Sequence, residues 1–158
     1  SDSLVNDDLS MKVSTYSGVS VAGYTATTTC LYFARCEANG TLSEDEADTR
    51  LYAGVYTFRL DGYVNEVGSD LLAKLTTLYG EPALTSASTN SYREITTWYA
   101  WLGTDNTVLV LKIHDETNST WRVSDKITIT YATLDGITWL QEADEVLLQN
   151  AGSDFTGL

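Results

Sequence analysis

The chain has 158 residues, about the usual length of one domain, and its 22 acidic against nine basic residues give a formal net charge of −13. This charge repels phosphate backbones, so we do not expect nucleic acid as a partner. The sequence has no run of about 18 apolar residues, which predicts no membrane-spanning segment. Its 17 aromatic residues, ten Tyr, four Trp and three Phe, favour β-structure.

The first third of the chain follows a period of two, typical of strands. Residues 1–12 are interpreted as a ragged acidic lead-in. Residues 19–21 and 24–33 then alternate small, Thr and aromatic side chains. Residues 51–60 are apolar at both odd and even positions. Alternation predicts half-buried strands, and apolar side chains on both parities predict a central strand. The polar, acidic stretch 37–48 is expected to connect them.

The period changes to that of a helix after Ser69. Four leucines recur at helical spacing, namely Leu71, Leu72, Leu75 and Leu78. Ser69 is a suitable N-cap, Gly80 follows the last turn, and Pro82 cannot continue a helix. The pattern predicts a helix over residues 69–79.

Strands resume in the last third of the chain. Residues 94–102 and 107–114 predict an antiparallel hairpin joined by the turn 103–106. A longer loop over 115–125 leads to a strand at 126–131, and a weaker amphipathic pattern over 136–149 predicts a second helix. We therefore expect a single α+β domain, with a mainly antiparallel sheet of about six strands, one strong helix and one weaker C-terminal helix, and residues 151–158 as a loose tail.

Cys30 and Cys36 leave two interpretations open. In one continuous strand the two residues would share a face but lie about 20 Å apart, well beyond the ~7 Å Cα limit of a disulfide. A bridge therefore requires a turn after about Ala34. Otherwise Cys30 is a buried, inert thiol.

Several segments together resemble a known group of proteins. They comprise Val19 to Tyr24, Leu31 to Ala34, Arg50 to Phe58, Leu71 to Pro82, a Trp-containing strand, and Ile127 to Tyr131. Over residues 19–131 the chain resembles an uncharacterised family of exported or lipid-anchored proteins of Gram-positive gut bacteria. This resemblance implies a secreted or cell-surface location, with a lipid-anchored precursor as one form, and implies no activity. The abundant Thr and Ser and the acidic charge agree with export.

Catalytic motifs are absent from the sequence. His114 is the only histidine, and no Gly-x-Ser-x-Gly elbow supplies a nucleophile, so we expect a strand-end histidine that faces water rather than a triad. Glu94 shares a strand parity with Thr96 and Trp98, which makes it the best candidate for a glycosidase carboxylate. A charge that protects an edge strand is the simpler interpretation of Glu94.

Acidic clusters occur at Glu44, Asp45, Glu46 and Asp48 and at Asp115, Glu116 and Asn118. Neither has the ligand order of a calcium loop, and solvated acidic loops explain both. Phosphate-binding glycine loops are also missing. We expect no metal and no cofactor.

Aromatic residues give the strongest functional indication. Trp98, Tyr99 and Trp101 crowd one strand on both parities, and Trp121 lies in a polar loop. Trp and Tyr combine a large contact area with one polar group, which suits binding to proteins or glycans. Filling of the sheet's two faces is the competing interpretation. We expect a non-catalytic binding or interaction module, with a protein or glycan at the cell surface as partner. The alternative is a hydrolase of an extracellular polymer such as a polysaccharide, with Glu94 as its catalytic residue.

Overall fold

The computed structural model describes residues 2–6, 11–35, 45, 49–60, 63–104, 106–117 and 125–136. The chain divides into two units, each described separately. Unit 1 comprises Ser1–Thr15, Cys30–Gly54 and Ala132–Leu158, and unit 2 comprises Tyr16–Thr29 and Val55–Tyr131.

Strands dominate the described residues, together with one long helix. In chain order the elements are β1 (Asp2–Asn6), β2 (Met11–Tyr16), β3 (Ser20–Val21), β4 (Tyr24–Thr25), β5 (Thr28–Arg35), β6 (Thr49–Leu60), α1 (Val64–Tyr79), β7 (Leu84–Thr89), β8 (Ile95–Leu102), β9 (Thr107–Asp115) and β10 (Asp125–Thr133). The α+β class with a mainly antiparallel sheet is therefore confirmed.

In unit 1 the strand order is β1-β2-β5-β6. β1 and β2 are antiparallel, with Ser3 opposite Val13. The rings of Tyr32 and Tyr52 lie 6.1 Å apart, and both side chains are buried. Cys30 carries a free, half-buried thiol whose Sγ lies 3.9 Å from Thr15 Oγ1. The free thiol agrees with the unbridged of the two interpretations, although Cys30 is half-buried rather than buried. Cys36 lies outside the described residues.

In unit 2 the strand order is β6-β10-β9-β8-β7, beside a separate β3-β4 ladder. The apolar core of this unit lies between α1 and one face of its strands. Its buried members are Ala26, Phe58, Val64, Leu71, Leu75, Trp101, Leu111, Ile127 and Ile129. Strands that alternate in burial place every second side chain in this core.

The helix begins earlier than predicted. Ser69 was expected to be its N-cap, but α1 begins at Val64, with Tyr63 at the cap position and no side-chain capping hydrogen bond. Val64 and Gly68 extend the buried stripe of Leu71 and Leu75 back toward the N-terminus, so packing sets the boundary. The predicted C-terminus is confirmed.

At that C-terminus, Gly80 has φ +84° and donates its N–H to the Thr76 carbonyl over 2.8 Å. A positive φ is readily adopted by glycine, which has no Cβ. Pro82 follows directly.

Three strand predictions need correction. The strand predicted over residues 24–33 is divided into β4 and β5, with residues 26–27 between them. The expected ragged lead-in instead contains β1 and the first residues of β2, which pair with one another. β7 was not predicted, because its Ser, Thr and Ala residues are all exposed and show no apolar alternation. The predicted strands 51–60, 94–102, 107–114 and 126–131 are confirmed by β6, β8, β9 and β10.

Other predictions fall partly outside the described residues. Residues 134–136 are helical, at the start of the predicted C-terminal helix, whose remainder is not described. The expected connection 37–48 is described only at Asp45, and the tail 151–158 not at all. A single domain stays a prediction. No helix among the described residues has the length and apolar character to cross a bilayer.

Candidate functional site

The pairing of β8 with β9 brings a polar cluster together in unit 2. The two strands are antiparallel, and Thr96 lies opposite His114. Glu94 precedes Thr96 by two residues and Glu116 follows His114 by two, so all four side chains belong to one face of the strand pair. We call Glu94, His114 and Glu116 the carboxylate–histidine cluster.

Within this cluster His114 is the central group. Its Nε2 lies 2.8 Å from Glu116 Oε1 and 3.7 Å from Glu94 Oε2. Its Nδ1 lies 2.9 Å from Thr96 Oγ1. An ionised carboxylate can only accept, so Nε2 carries the proton in the hydrogen bond to Glu116, whereas Thr96 Oγ1 can donate to or accept from Nδ1.

The carboxylates are held in place by neighbouring residues. Asn90 Nδ2 donates to Glu94 Oε2 over 2.7 Å, and Asn90 Oδ1 accepts from the Glu94 backbone N–H. The Glu116 backbone N–H donates over 2.8 Å to Oδ1 of the buried Asp125. Glu116 itself is only 7% exposed. The cluster is thus a fixed arrangement rather than a group of mobile surface acids.

Asp115, between His114 and Glu116, points to a different set of partners. Burial acts to raise the pKa of its carboxyl, but hydrogen bonds from Thr117 and Asn65 and the nearby His114 lower it, and the net shift is below the usual 3.8. The Thr117 backbone N–H donates to Asp115 Oδ1 and Asn65 Nδ2 to Oδ2. Asp115 therefore serves to anchor the end of β9 to the start of α1.

Several sequence predictions change as a result. Glu94 does not protect an edge strand, because β8 pairs with both β7 and β9. The His114 side chain is only 16% exposed and does not face water. Asp115 and Glu116 have separate partners instead of forming a solvated acidic loop, while Asn118 lies outside the described residues. Of the first acidic cluster only Asp45 is described, and it is exposed.

The aromatic residues predicted to bind do not form one platform. Trp101 is 4% exposed, and its Nε1 donates to the Gly80 carbonyl over 2.8 Å. Tyr99 is half-buried and packs against the same core. Trp98 faces the other way, with the Lys112 Nζ 6.0 Å from its ring centroid. Trp121 lies outside the described residues.

A cavity of about 260 Å³ lies where the end of α1 approaches the β8–β9 turn, and we call it the end cavity. It is lined by Tyr79, Glu81, Ala83, Trp101, Leu102, Gly103, Thr107, Val108, Leu109 and Tyr131. Three lining side chains are largely exposed: Tyr79 at 60%, Leu102 at 63% and Tyr131 at 46%. Of the predicted binding residues that the structure describes, Trp101 alone lines this cavity.

Neither the carboxylate–histidine cluster nor the end cavity was predicted from the sequence. Glu94 and His114 were each candidates, but only the register of β8 against β9 shows that they lie close together. Tyr79, Leu102 and Tyr131 carried no signal, because an exposed Leu or Tyr in a helix or strand pattern looks like a core residue.

Comparisons with protein-family models, with curated proteins and with solved structures find no match.

Proposed function

We propose that this chain is a non-catalytic binding module, secreted or exposed at a cell surface, that holds an apolar side chain of a partner protein in the end cavity. The observation that carries the proposal is the exposed apolar rim formed by Tyr79, Leu102 and Tyr131 around that cavity. Large apolar side chains that remain in water next to a concave surface are typical of interaction sites.

The size of the end cavity supports one inserted group rather than a whole cofactor. Its volume of about 260 Å³ is just below the range of roughly 300–1,000 Å³ seen for small-molecule sites. Trp101 lines it but has its Nε1 already bonded to the Gly80 carbonyl, so it offers an apolar ring surface. An incoming aliphatic or aromatic side chain would replace water at this surface.

The rim favours a protein partner over a glycan. Leu102 offers no hydrogen bond and no flat face for a sugar ring, and Leu84, next to the lining residue Ala83, is 66% exposed. Among the lining residues that the structure describes, Glu81 is the one that carries a charge. A rim of two tyrosines and a leucine with one carboxylate suits an apolar anchor next to a basic or amide group of a protein segment.

The proposal is tested by NMR titration of the purified chain with N-acetyl-leucinamide and N-acetyl-tryptophanamide. We expect chemical-shift changes concentrated at backbone amides of residues 79–83, 101–103 and 107–109. Leu102→Ser should weaken binding at least about fivefold, because it removes apolar area at the rim.

The matched control is Leu78→Ser, a second exposed leucine at 69% that does not line the cavity. Its affinity should equal that of the unsubstituted chain. Equal loss in both variants, or shift changes spread over the whole chain, would contradict the proposed site. A response to N-acetylglucosamine in place of the amino-acid amides would overturn the protein partner and support a glycan.

Hydrolysis of an extracellular polysaccharide is the second candidate, favoured by one observation. Glu94 lies near a second carboxylate, Glu116, and carboxylate pairs cleave glycosidic bonds. Reducing-sugar release from a panel of polysaccharides tests it, with Glu94→Gln as the catalytic variant. We expect no release from either chain, and release abolished by Glu94→Gln would establish the enzyme instead.

Export is part of the proposal. It is supported by the acidic, Thr-rich composition and by the resemblance over residues 19–131 to exported proteins. Fractionation of cells that produce the native gene product tests this location, and recovery in the cytosol alone would contradict it.

A further inference from the structure

The geometry points to the carboxylate–histidine cluster as a binding site for one divalent transition-metal ion of the zinc type, held by Glu94, His114 and Glu116. One donor atom from each residue lies within 4.8 Å of the other two. One nitrogen and two carboxylate oxygens leave a fourth position open for water or an exogenous ligand.

The distances fit a small tetrahedral ion after slight movement. Zinc bonds of about 2.0–2.1 Å place tetrahedral donor atoms about 3.4 Å apart. Glu94 Oε2 lies 3.7 Å from His114 Nε2, and Glu116 Oε1 lies 2.8 Å from it. The first pair thus needs to close by about 0.3 Å and the second to open by about 0.6 Å. The two carboxylate oxygens lie within 4.8 Å of one another and need to approach by up to about 1.4 Å, which rotation of the glutamate side chains supplies.

The surrounding hydrogen bonds are those of a supported metal site. A ligating histidine usually bonds through its other nitrogen, which fixes the ring, and here Nδ1 lies 2.9 Å from Thr96 Oγ1. Asn90 holds Glu94 in the same manner over 2.7 Å.

The choice of ion follows from the donor set. Imidazole nitrogen suits zinc and its neighbours in the transition series, whereas calcium takes six to eight oxygens. Two carboxylates and a neutral imidazole carry a charge of −2, which a divalent ion balances. This site is independent of the end cavity, so either proposal can fail alone.

Metal binding fixes the position of the ring proton of His114. When Nε2 binds the ion it carries no proton, so the ring proton lies on Nδ1, which donates to Thr96 Oγ1. The chain contains one histidine, so its imidazole nitrogens give an NMR signal free of overlap in the untagged protein.

The experiment combines calorimetry with ZnCl2 and imidazole ¹⁵N NMR. We expect one Zn²⁺ per chain, with Nε2 unprotonated and the ring proton on Nδ1 in the bound state. His114→Gln and Glu94→Gln should each reduce affinity at least about tenfold, and Thr96→Val, which removes only the outer hydrogen bond, should reduce it about tenfold.

The matched control is Glu66→Gln, an exposed glutamate in the first turn of α1. It should bind Zn²⁺ as the unsubstituted chain does. Equal loss in Glu66→Gln would show non-specific attraction to the acidic surface, and undiminished binding by His114→Gln would place the ion elsewhere; either result overturns the site. Unchanged imidazole signals at saturating Zn²⁺ overturn it without any substitution, so a variant that fails to fold does not weaken the test.

Discussion

On one face of the β8–β9 strand pair, Tyr99, Trp101 and Leu111 pack into the core with α1, whereas on the other face Thr96 and His114 form a polar cluster and Trp98 lies opposite Lys112. The same two strands therefore present an apolar surface and a polar one. Side chains alternate between the two faces of any strand pair, and here the face that packs against α1 is the buried one.

The aromatic residues of β8 have different roles on the two faces, although they are neighbours in sequence. Trp101 lies in the core, and its indole N–H is satisfied by the Gly80 carbonyl after α1. Trp98 is half-buried beside a lysine. Substitutions on the two faces should therefore differ in what they change: stability on the core face, and local chemistry on the polar face.

The largest expected effect is a difference in the free energy of unfolding between substitutions of Trp101 and Trp98. Trp101→Ala should lower the free energy of unfolding by about 3–5 kcal/mol, because it leaves a core cavity and an unpaired Gly80 carbonyl. Trp98→Ala should cost about 1–2 kcal/mol, since that side chain is half-buried and its contact with Lys112 is long. Urea unfolding of both variants measures the difference, and equal losses would remove the distinction between the faces.

How far the sequence predicts this region can be judged residue by residue. The hairpin followed from two alternating segments around Gly103, and the helix C-terminus from Gly80 and Pro82. The helix start did not follow, because Tyr63 provides no capping side chain and Ser69 looked like one. β7 was missed because a fully exposed edge strand has no apolar period.

The carboxylate–histidine cluster could not be predicted from the sequence, because it depends on the register of the β8–β9 hairpin. A turn of four residues over 103–106 would set Leu102 opposite Thr107, and so Glu94 opposite Asp115. The structure pairs Leu102 with Val108 and Thr96 with His114, a shift of one residue. A shift of one residue exchanges the faces of a strand, so the partners of Glu94 depend on turn geometry that composition does not reveal.

The second prediction concerns the close contact between Gly68 of α1 and Ile113 of β9. A Cβ at Gly68 would lie 2.7 Å from Ile113 Cδ1 and 3.2 Å from its Cγ1. Gly68→Ala should therefore destabilise by about 1–3 kcal/mol through overpacking, partly offset by about 1 kcal/mol from better helix propensity.

The double variant with Ile113→Val tests the cause, because valine lacks the closest atom, Cδ1. Part of the stability lost by Gly68→Ala should return in this background, as a coupling in a thermodynamic cycle. Ser69→Ala, at the next and exposed helix position, should change stability by less than about 0.5 kcal/mol. Additive costs of Gly68→Ala and Ile113→Val would show that the helix approaches β9 less closely than described.

The smallest effect concerns charge near the core face, where Asp70 joins α1 to the β3–β4 ladder. Asp70 Oδ2 accepts from Tyr24 Oη over 2.5 Å and lies 2.9 Å from Lys74 Nζ, which also donates to the Ala22 carbonyl. The hydrogen bond from Lys74, then that from Tyr24, lowers the Asp70 pKa below 3.8. The hydrogen bond to Asp70 raises the pKa of Tyr24 above 10.0 and that of Lys74 above 10.5.

The directions of these pKa shifts define the pH range in which the contact stabilises the fold. A lowered carboxyl pKa contributes stability that is complete above 3.8 and is lost as pH falls through the lower, folded-state value. The raised Tyr24 pKa contributes below 10.0 and is lost as pH rises through its folded-state value. Asp70→Asn should therefore reduce stability slightly and evenly between about pH 5 and pH 9, and the difference should shrink in acid.

Urea unfolding of the unsubstituted chain and Asp70→Asn at pH 3 and pH 7 measures this difference, with Lys74→Met as the partner variant. In the Lys74→Met background, Asp70→Asn should cost less at pH 7, because the first cause of the lowered pKa has been removed. A difference that persists unchanged at pH 3 would mean that the carboxyl group acts through shape rather than charge. The core face would then owe its stability to packing alone.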